Sequence, residues 1–129
     1  MFMVEREPSR LQAALHCFLL VEGVRTAALI DIATGMIVRS VGKLDPDLPA
    51  TAACVADEAR AVRGALGADS PADDLIEIAT VTGSRLHVSR VLRHSPSEGM
   101  LLFVDLERDK SNLGLAALRV SELAPAVLA

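Results

Sequence analysis

The residues able to do chemistry in this chain are few, and their spacing does not suit it. Gly35, Gly42 and Lys43 have the makings of a phosphate loop. Such a loop needs G-x-x-x-x-G-K-[ST], so that successive backbone N–H groups cradle phosphate and a hydroxyl holds Mg²⁺. Here the spacing is wrong, Leu44 stands at the hydroxyl position, and a strand pattern separates the glycines. Gly35 therefore reads as a hairpin turn, and Gly42 and Lys43 as a loop. His16 and Cys17 are neighbours on a predicted helix, about 100° apart, which makes no metal pair. His87 falls on a strand and His94 in a loop, so the histidines read as surface or internally satisfied side chains. Ser84 and His87 sit at a hairpin turn with no third group to orient a base, and no G-x-S-x-G elbow occurs. Arg39, Arg60, Arg63, Arg85, Arg90, Arg93 and Arg108 invite comparison with an arginine finger, which stabilises charge in a partner's phosphoryl-transfer site. Nothing in the sequence sets any of them apart from a solvated charge. The expectation is no catalytic residue, no metal and no cofactor.

Composition bounds the rest. At 129 residues the chain reads as a loose N-terminus over 1–8 and a single domain over 9–129. Its hydrophobic content of 51% is rich, yet no apolar stretch approaches the roughly 20 residues of a membrane span. The excess belongs to an interior or an oligomer interface. The first residues, MFMVEREP, include acidic side chains and lack the apolar core of a secretory signal. Thirteen basic against seventeen acidic residues, three Phe, and no Tyr or Trp leave neither a basic field nor a stacking platform, which argues against nucleic acid. Cys17 and Cys54 are too few and too far apart for a disulfide framework or a Cys-x-x-Cys site, and two thiols fit the cytoplasm, with a single bridge left open.

The elements that must position any surface follow from periodicity. Met100 to Leu106 (MLLFVDL) is apolar apart from Asp105, and Val24 to Ile32 (VRTAALIDI) is similar. Runs of this kind are strands covered on both faces, which requires helical layers above and below. Ser9 to Gln12 reads as a capping box opening a helix over Arg10 to Glu22, with Leu11, Ala14, Leu15 and Phe18 on one face and Gly23 as its stop. Ala33 to Gly35 turns the chain into Met36 to Val41. Pro49 opens a second helix, stopped by Gly67, whose face of Thr51, Ala52, Val55, Ala59, Val62 and Leu66 packs on the sheet. The opposite face carries Ala50, Ala53, Cys54, Asp57, Ala61 and Gly64, small side chains where Lys and Glu are usual. Such a face admits a second helix closely, although Ala also recurs simply as a helix former. Residues 69–74 (DSPADD) form a turn cluster, and Leu75 to Thr82 and Leu86 to Leu92 form a second hairpin about Gly83 and Ser84. Asp109 and Ser111 are candidate caps for a last helix over Leu113 to Ala124, ended near Pro125. The order is α-β-β-α-β-β-β-α, with an antiparallel sheet.

Three stretches in this order, VEGVRTAALIDIATGMIVRSVG, DLIEIATVTGSRLHVSRV and MLLFVDLERDKSNLGLAALRV, resemble the roadblock/dynein light chain family. The resemblance covers nearly all of the chain from Ser9 to Leu123, departing from the pattern at a longer 94–99 loop. It implies an α+β (α/β) three-layer domain with a five-stranded antiparallel sheet in the order 2-1-5-4-3, one helix on one face and two on the other. It further implies a homodimer through the second helix and the Leu75 to Thr82 strand, placing Ala50, Ala53, Cys54, Asp57, Ala61, Gly64, Glu77 and Ala79 at the interface. Family members are non-catalytic adaptors on dynein motors or with Ras-like small GTPases, whose hydrolysis they modulate. The acidic, Ala- and Arg-rich composition points to the bacterial, GTPase-associated type. Alternatives are a scaffold that links signalling proteins, such as sensor-kinase-like ones, without affecting hydrolysis, or a small-ligand sensory domain.

Overall fold

The computed structural model describes residues 6–66, 75–92 and 99–128, the side chains of 6–9 and 128 excepted. Its elements are α1 (Arg6–His16), β1 (Val24–Asp31), β2 (Ile37–Gly42), α2 (Leu48–Leu66), β3 (Glu77–Val81), β4 (Arg85–Leu92), β5 (Met100–Glu107) and α3 (Leu113–Leu128). The five strands form one sheet in the order β2-β1-β5-β4-β3, every neighbouring pair antiparallel. That is the order the family resemblance implies. The uninterrupted apolar runs occupy β1 and β5, side by side within the sheet, because only strands covered on both faces can bury every residue.

Each face has its own core. On one side Ala14, Leu15 and Phe18, together with Ala116, Val120, Ala124 and Val127 of α3, close over Ala27, Leu29, Leu102, Val104, Val88 and Leu86. On the other side Leu48, Ala52, Ala56 and Ala59 of α2 close over Ala28, Ile30, Leu101, Phe103 and Val91. The three alanines let α2 lie near the sheet. Two glycines make the turns that allow this packing. Gly35 has φ +75°, and a Cβ there would stand 3.0 Å from the Ala53 Cα, so α2 passes directly over the β1–β2 turn. Gly42, at φ +102°, ends β2 where a Cβ would meet the Arg25 carbonyl oxygen at 2.2 Å.

The helix ends depart from expectation. Helix α1 begins at Arg6, so Ser9 lies inside it and does not cap it. Pro8 falls in the first turn, where its missing N–H has no partner to lose. The helix ends at His16 and continues as a 3₁₀ turn, Cys17–Leu20, instead of running to Glu22. At the other end the cap of α3 is neither Asp109 nor Ser111. Asn112 Oδ1 accepts the Leu115 N–H at 3.0 Å, while residues 108–110 form a 3₁₀ turn. Helix α3 also runs through Pro125 to Leu128. Pro125 is exposed, so the carbonyl it leaves without a donor can be hydrated. Gly67, the 69–74 turn and the 94–98 loop, with His94, lie outside the described residues.

Candidate functional site

Helix α2 presents two different surfaces. At 100° per residue its buried line, Leu48, Ala52, Ala56 and Ala59, is opposite Ala50, Cys54, Ala61 and Gly64, all exposed and facing away from the sheet. Ala53 is also exposed, on the flank nearest the β1–β2 turn, and Asp57 is exposed between that flank and the outward face. Arg60 ties this flank down. Its guanidinium donates to the carbonyl oxygens of Ile32 and, at 3.3 Å, of Ala33, and it pairs with Asp57. The interface residues expected on α2 are thus exposed together as one face, with Asp57 shared between that face and the Arg60 tether. On the far flank Val55 and Val62 are only partly covered, joined at the rim of the core by Ile78 of β3. Sequence patterning placed both valines on the stripe that packs on the sheet, and both do pack against that core from its margin.

The second feature is the free edge of the sheet at β3. Ile76 accepts the Val91 N–H at 2.8 Å, and Thr82 donates to Arg85 at 2.9 Å. With Ile78 opposite Ser89 and Thr80 opposite His87, the even-numbered residues carry the ladder to β4. The N–H and C=O groups of Glu77, Ala79 and Val81 therefore point away from β4, three donors and three acceptors along an edge that no strand among the described residues pairs. The side chain of Glu77 pairs with Arg90 at 3.5 Å, and Ala79 is exposed. Ile76 and Val81, on the segment that forms this edge, are each about half exposed, at 51%. The other edge strand, β2, is blunted. Its pairing with β1 breaks register between Leu29 and Ile30, a bulge that turns an edge away from further pairing. Pairing of β3 with β4 has no such break.

The face under α2 is apolar only near the β1–β2 turn. Further along, one rung across the strands reads Thr26, Asp105, His87, Thr80. Asp105 is 7% exposed. Arg85 Nη1 lies 3.2 Å from its Oδ2 and His87 Nε2 lies 3.1 Å from its Oδ1, while the His87 ring meets Phe103 edge-on at 5.0 Å between centroids. The one polar residue in the apolar run of β5 is thus held by an arginine from β4, with a histidine of the same strand beside it. This pairing depends on strand register, which no local spacing reveals. At the end of β5, a hydrogen bond from Lys110 holds the Glu107 carboxyl below the usual carboxylate range, aided by the charges of Lys110, Lys43 and Arg25. Glu107 in turn raises the Lys110 ammonium.

Two clefts open among the described residues. One, of about 850 Å³, lies between the 3₁₀ turn after α1 and the start of α3, lined by Leu20, Leu115 and Leu123 with Lys110, Arg119 and Glu122. Its charged lining carries both signs. The other, of about 520 Å³, lies at the β3–β4 turn. Cys17 and Cys54 are both free and exposed. Among the described residues no three His, Cys, Asp or Glu side chains gather as a metal site, and no helix is long and apolar enough to cross a membrane.

No protein-family model matches this sequence, and no curated protein matches it. Solved structures do. A roadblock/LC7 domain from Streptomyces avermitilis superimposes with a TM-score of 0.71 at 19% identity, over 89% of this chain and 92% of that one. The gliding protein MglB from Thermus thermophilus gives 0.74 at 21% identity, over 92% and 86%. An MglB described as having a tetrameric arrangement gives 0.74 at 22% identity, over 92% and 85%. The chain has the roadblock fold.

Proposed function

We propose that this chain is a non-catalytic, cytoplasmic homodimeric adaptor that binds a Ras-like small GTPase and modulates its GTP hydrolysis. The observation that carries the dimer is the free edge of β3, where Glu77, Ala79 and Val81 present their backbone groups outward. An edge of this kind, with half-exposed Ile76 and Val81 along it, is an aggregation hazard unless a defined partner covers it. Pairing β3 with β3 of a second copy satisfies all six groups and makes one ten-stranded sheet. The small-residue face and the Val55–Val62 flank of α2 then lie on one side of that continuous sheet, where two helices can pack.

The GTPase reading rests on the fold and on the family resemblance, in which dimeric roadblock proteins act on Ras-like GTPases. A single-turnover GTPase assay tests it, using the Ras-like GTPase encoded nearest this chain's gene. Acceleration of hydrolysis in proportion to dimer supports the reading. Binding without any change in rate leaves a scaffold, and no binding at all removes the GTPase from the proposal.

A further inference from the structure

The register of the sheet gathers three arginines at the end opposite the β1–β2 turn. Arg25 is the extra residue where β1 slips against β5, between Val24 opposite Leu106 and Thr26 opposite Asp105, and a bulge of this kind re-aims a side chain. Arg85 opens β4 opposite Glu107, and Arg108 follows the end of β5. The turn between β3 and β4 is tied at several points. Thr82 Oγ1 accepts the N–H of Arg85 at 2.9 Å and that of Ser84 at 3.3 Å, and the Arg108 N–H donates to the Ser84 carbonyl at 3.0 Å. The Arg108 side chain lies along the same turn, its Nη1 donating to the Thr82 carbonyl at 3.1 Å. A cleft of about 520 Å³ opens between Arg25, Arg85, Arg108 and Ser84.

Carboxylates stand here too, and most of their charge is already met. Arg85 Nη1 lies 3.2 Å from Oδ2 of Asp105. Lys110 Nζ lies 3.1 Å from Oε2 of Glu107, and Lys43 is near enough for its charge to act on the same carboxylate. Arg25 therefore shares an occupied carboxylate, at 3.5 Å. Arg108 meets an uncharged carbonyl, with no carboxylate partner among the described residues. With Asp109 as the third carboxylate, five cations face three acids at this end of the sheet, in a chain whose net charge is −4. Each guanidinium offers five donors in a planar fork, and Arg108 spends one of them on Thr82.

We propose that this cleft is an anion site for a phosphate monoester, held by the guanidinium groups of Arg25 and Arg108 with Ser84 supplying a hydroxyl. Charge favours a phosphate. A phosphate monoester carries about −1.5 to −2 at neutral pH, which matches the local surplus of cations, whereas a carboxylate carries a single charge. Shape favours it as well, since a planar guanidinium fork takes two oxygens of one phosphate side by side. Arg108 and Ser84 are held by the turn before any ligand arrives, so little side-chain freedom is lost on binding. A volume of about 520 Å³ exceeds one phosphate group and leaves room for the small alcohol or side chain that bears it. All of these groups come from β1, β5 and the β3–β4 turn of a single copy. The site thus goes beyond the dimer and its GTPase, and stands or falls apart from them.

Titration of the full chain with glycerol phosphate, followed by ¹H–¹⁵N NMR at constant ionic strength, tests this, because general screening is then held fixed. The amides of Ser84, Arg85 and Arg108 shift together and saturate, and acetate binds at least about tenfold more weakly. Arg108→Gln and Arg25→Gln each weaken glycerol phosphate about tenfold or more, through loss of a charge-assisted contact. Arg108→Lys recovers part of that loss, since the charge stays while the fork goes. Arg119→Gln makes the same charge change on α3, in the other cleft, and leaves the affinity unchanged. Thermal melts verify that each variant folds. An alanine-flanked phosphoserine peptide, titrated in parallel, identifies the source of the phosphate: tighter binding than glycerol phosphate marks a phosphorylated partner, and equal or weaker binding a free small molecule. Wild-type shifts that never saturate overturn the site. So does acetate binding as tightly as glycerol phosphate, or Arg119→Gln weakening binding as much as Arg108→Gln.

Discussion

Ala79→Pro separates the free edge from the rest of the fold. The Ala79 N–H takes no part in the ladder to β4, which runs through the even-numbered residues, so proline there removes no internal hydrogen bond. Proline is tolerated in edge strands in this setting, and Ile78 before it already has the extended conformation that proline demands. Monomer stability should fall by no more than about 1 kcal/mol. In a dimer centred on Ala79, two N–H···O=C bonds join the two Ala79 residues. Proline deletes both donors and strands two buried carbonyls, each at about 1–3 kcal/mol. The sum, about 2–6 kcal/mol, raises the dissociation constant roughly 30-fold to 10⁴-fold. Thr80→Pro is the mirror control: it removes a ladder bond to β4 and lowers the thermal midpoint of the monomer itself. Sedimentation velocity across a dilution series, with a thermal melt of each variant, reads both effects. If Ala79→Pro dimerises with wild-type affinity, the β3 edges are not paired and the reasoning fails.

Other perturbations probe the remaining parts. Ala61→Glu and Ala53→Arg place charge and bulk on the exposed face of α2, and each should split the dimer while leaving the melt within about 0.5 kcal/mol of wild type; a dimer that persists in both marks that face as simply solvent-exposed. Gly42→Ala combines positive φ with a Cβ 2.2 Å from the Arg25 carbonyl oxygen and should cost at least about 3 kcal/mol in urea unfolding; a cost below about 1 kcal/mol would mean the strand end shifts freely. Lys110→Ala should move the titration midpoint of Glu107 upward in carboxyl ¹³C NMR, because the Lys110 hydrogen bond is the largest cause of its depression. Since that midpoint is lowered by folding, the Glu107 contribution to stability is present above the ordinary carboxylate range and is lost as pH falls through the depressed midpoint. An unmoved midpoint assigns the effect to Lys43 and Arg25 instead.

The central layers were legible in the sequence because burial on both faces leaves a signature no exposed strand shares. Val24 to Ile32 and Met100 to Leu106 could only be inner strands, and they are β1 and β5. The hairpin at Gly35 and the amphipathic pattern of α2 were legible for similar local reasons. What escaped was decided by tertiary context. Ser9 and Gln12 have the spacing of a capping box, yet α1 starts a turn earlier at Arg6. Pro125 reads as a stop, yet its exposed position lets the last turn of α3 continue. Asp105, His87 and Arg85 meet because β4 and β5 pair in one register, and Glu77, Ala79 and Val81 are the outward residues because β3 pairs with β4 in another. Neither register is written in any short window.

Amide hydrogen exchange at Glu77, Ala79 and Val81 addresses the dimer most directly, since these three N–H groups lie outside the ladder to β4 and face a partner strand in the proposed assembly. Protection should rise with protein concentration at these residues together, tracking the dimer fraction, while Ile78 and Thr80 stay protected throughout. Exchange of all three at the rate of an open amide, unchanged across concentrations at which the chain sediments as a dimer, would contradict pairing through β3.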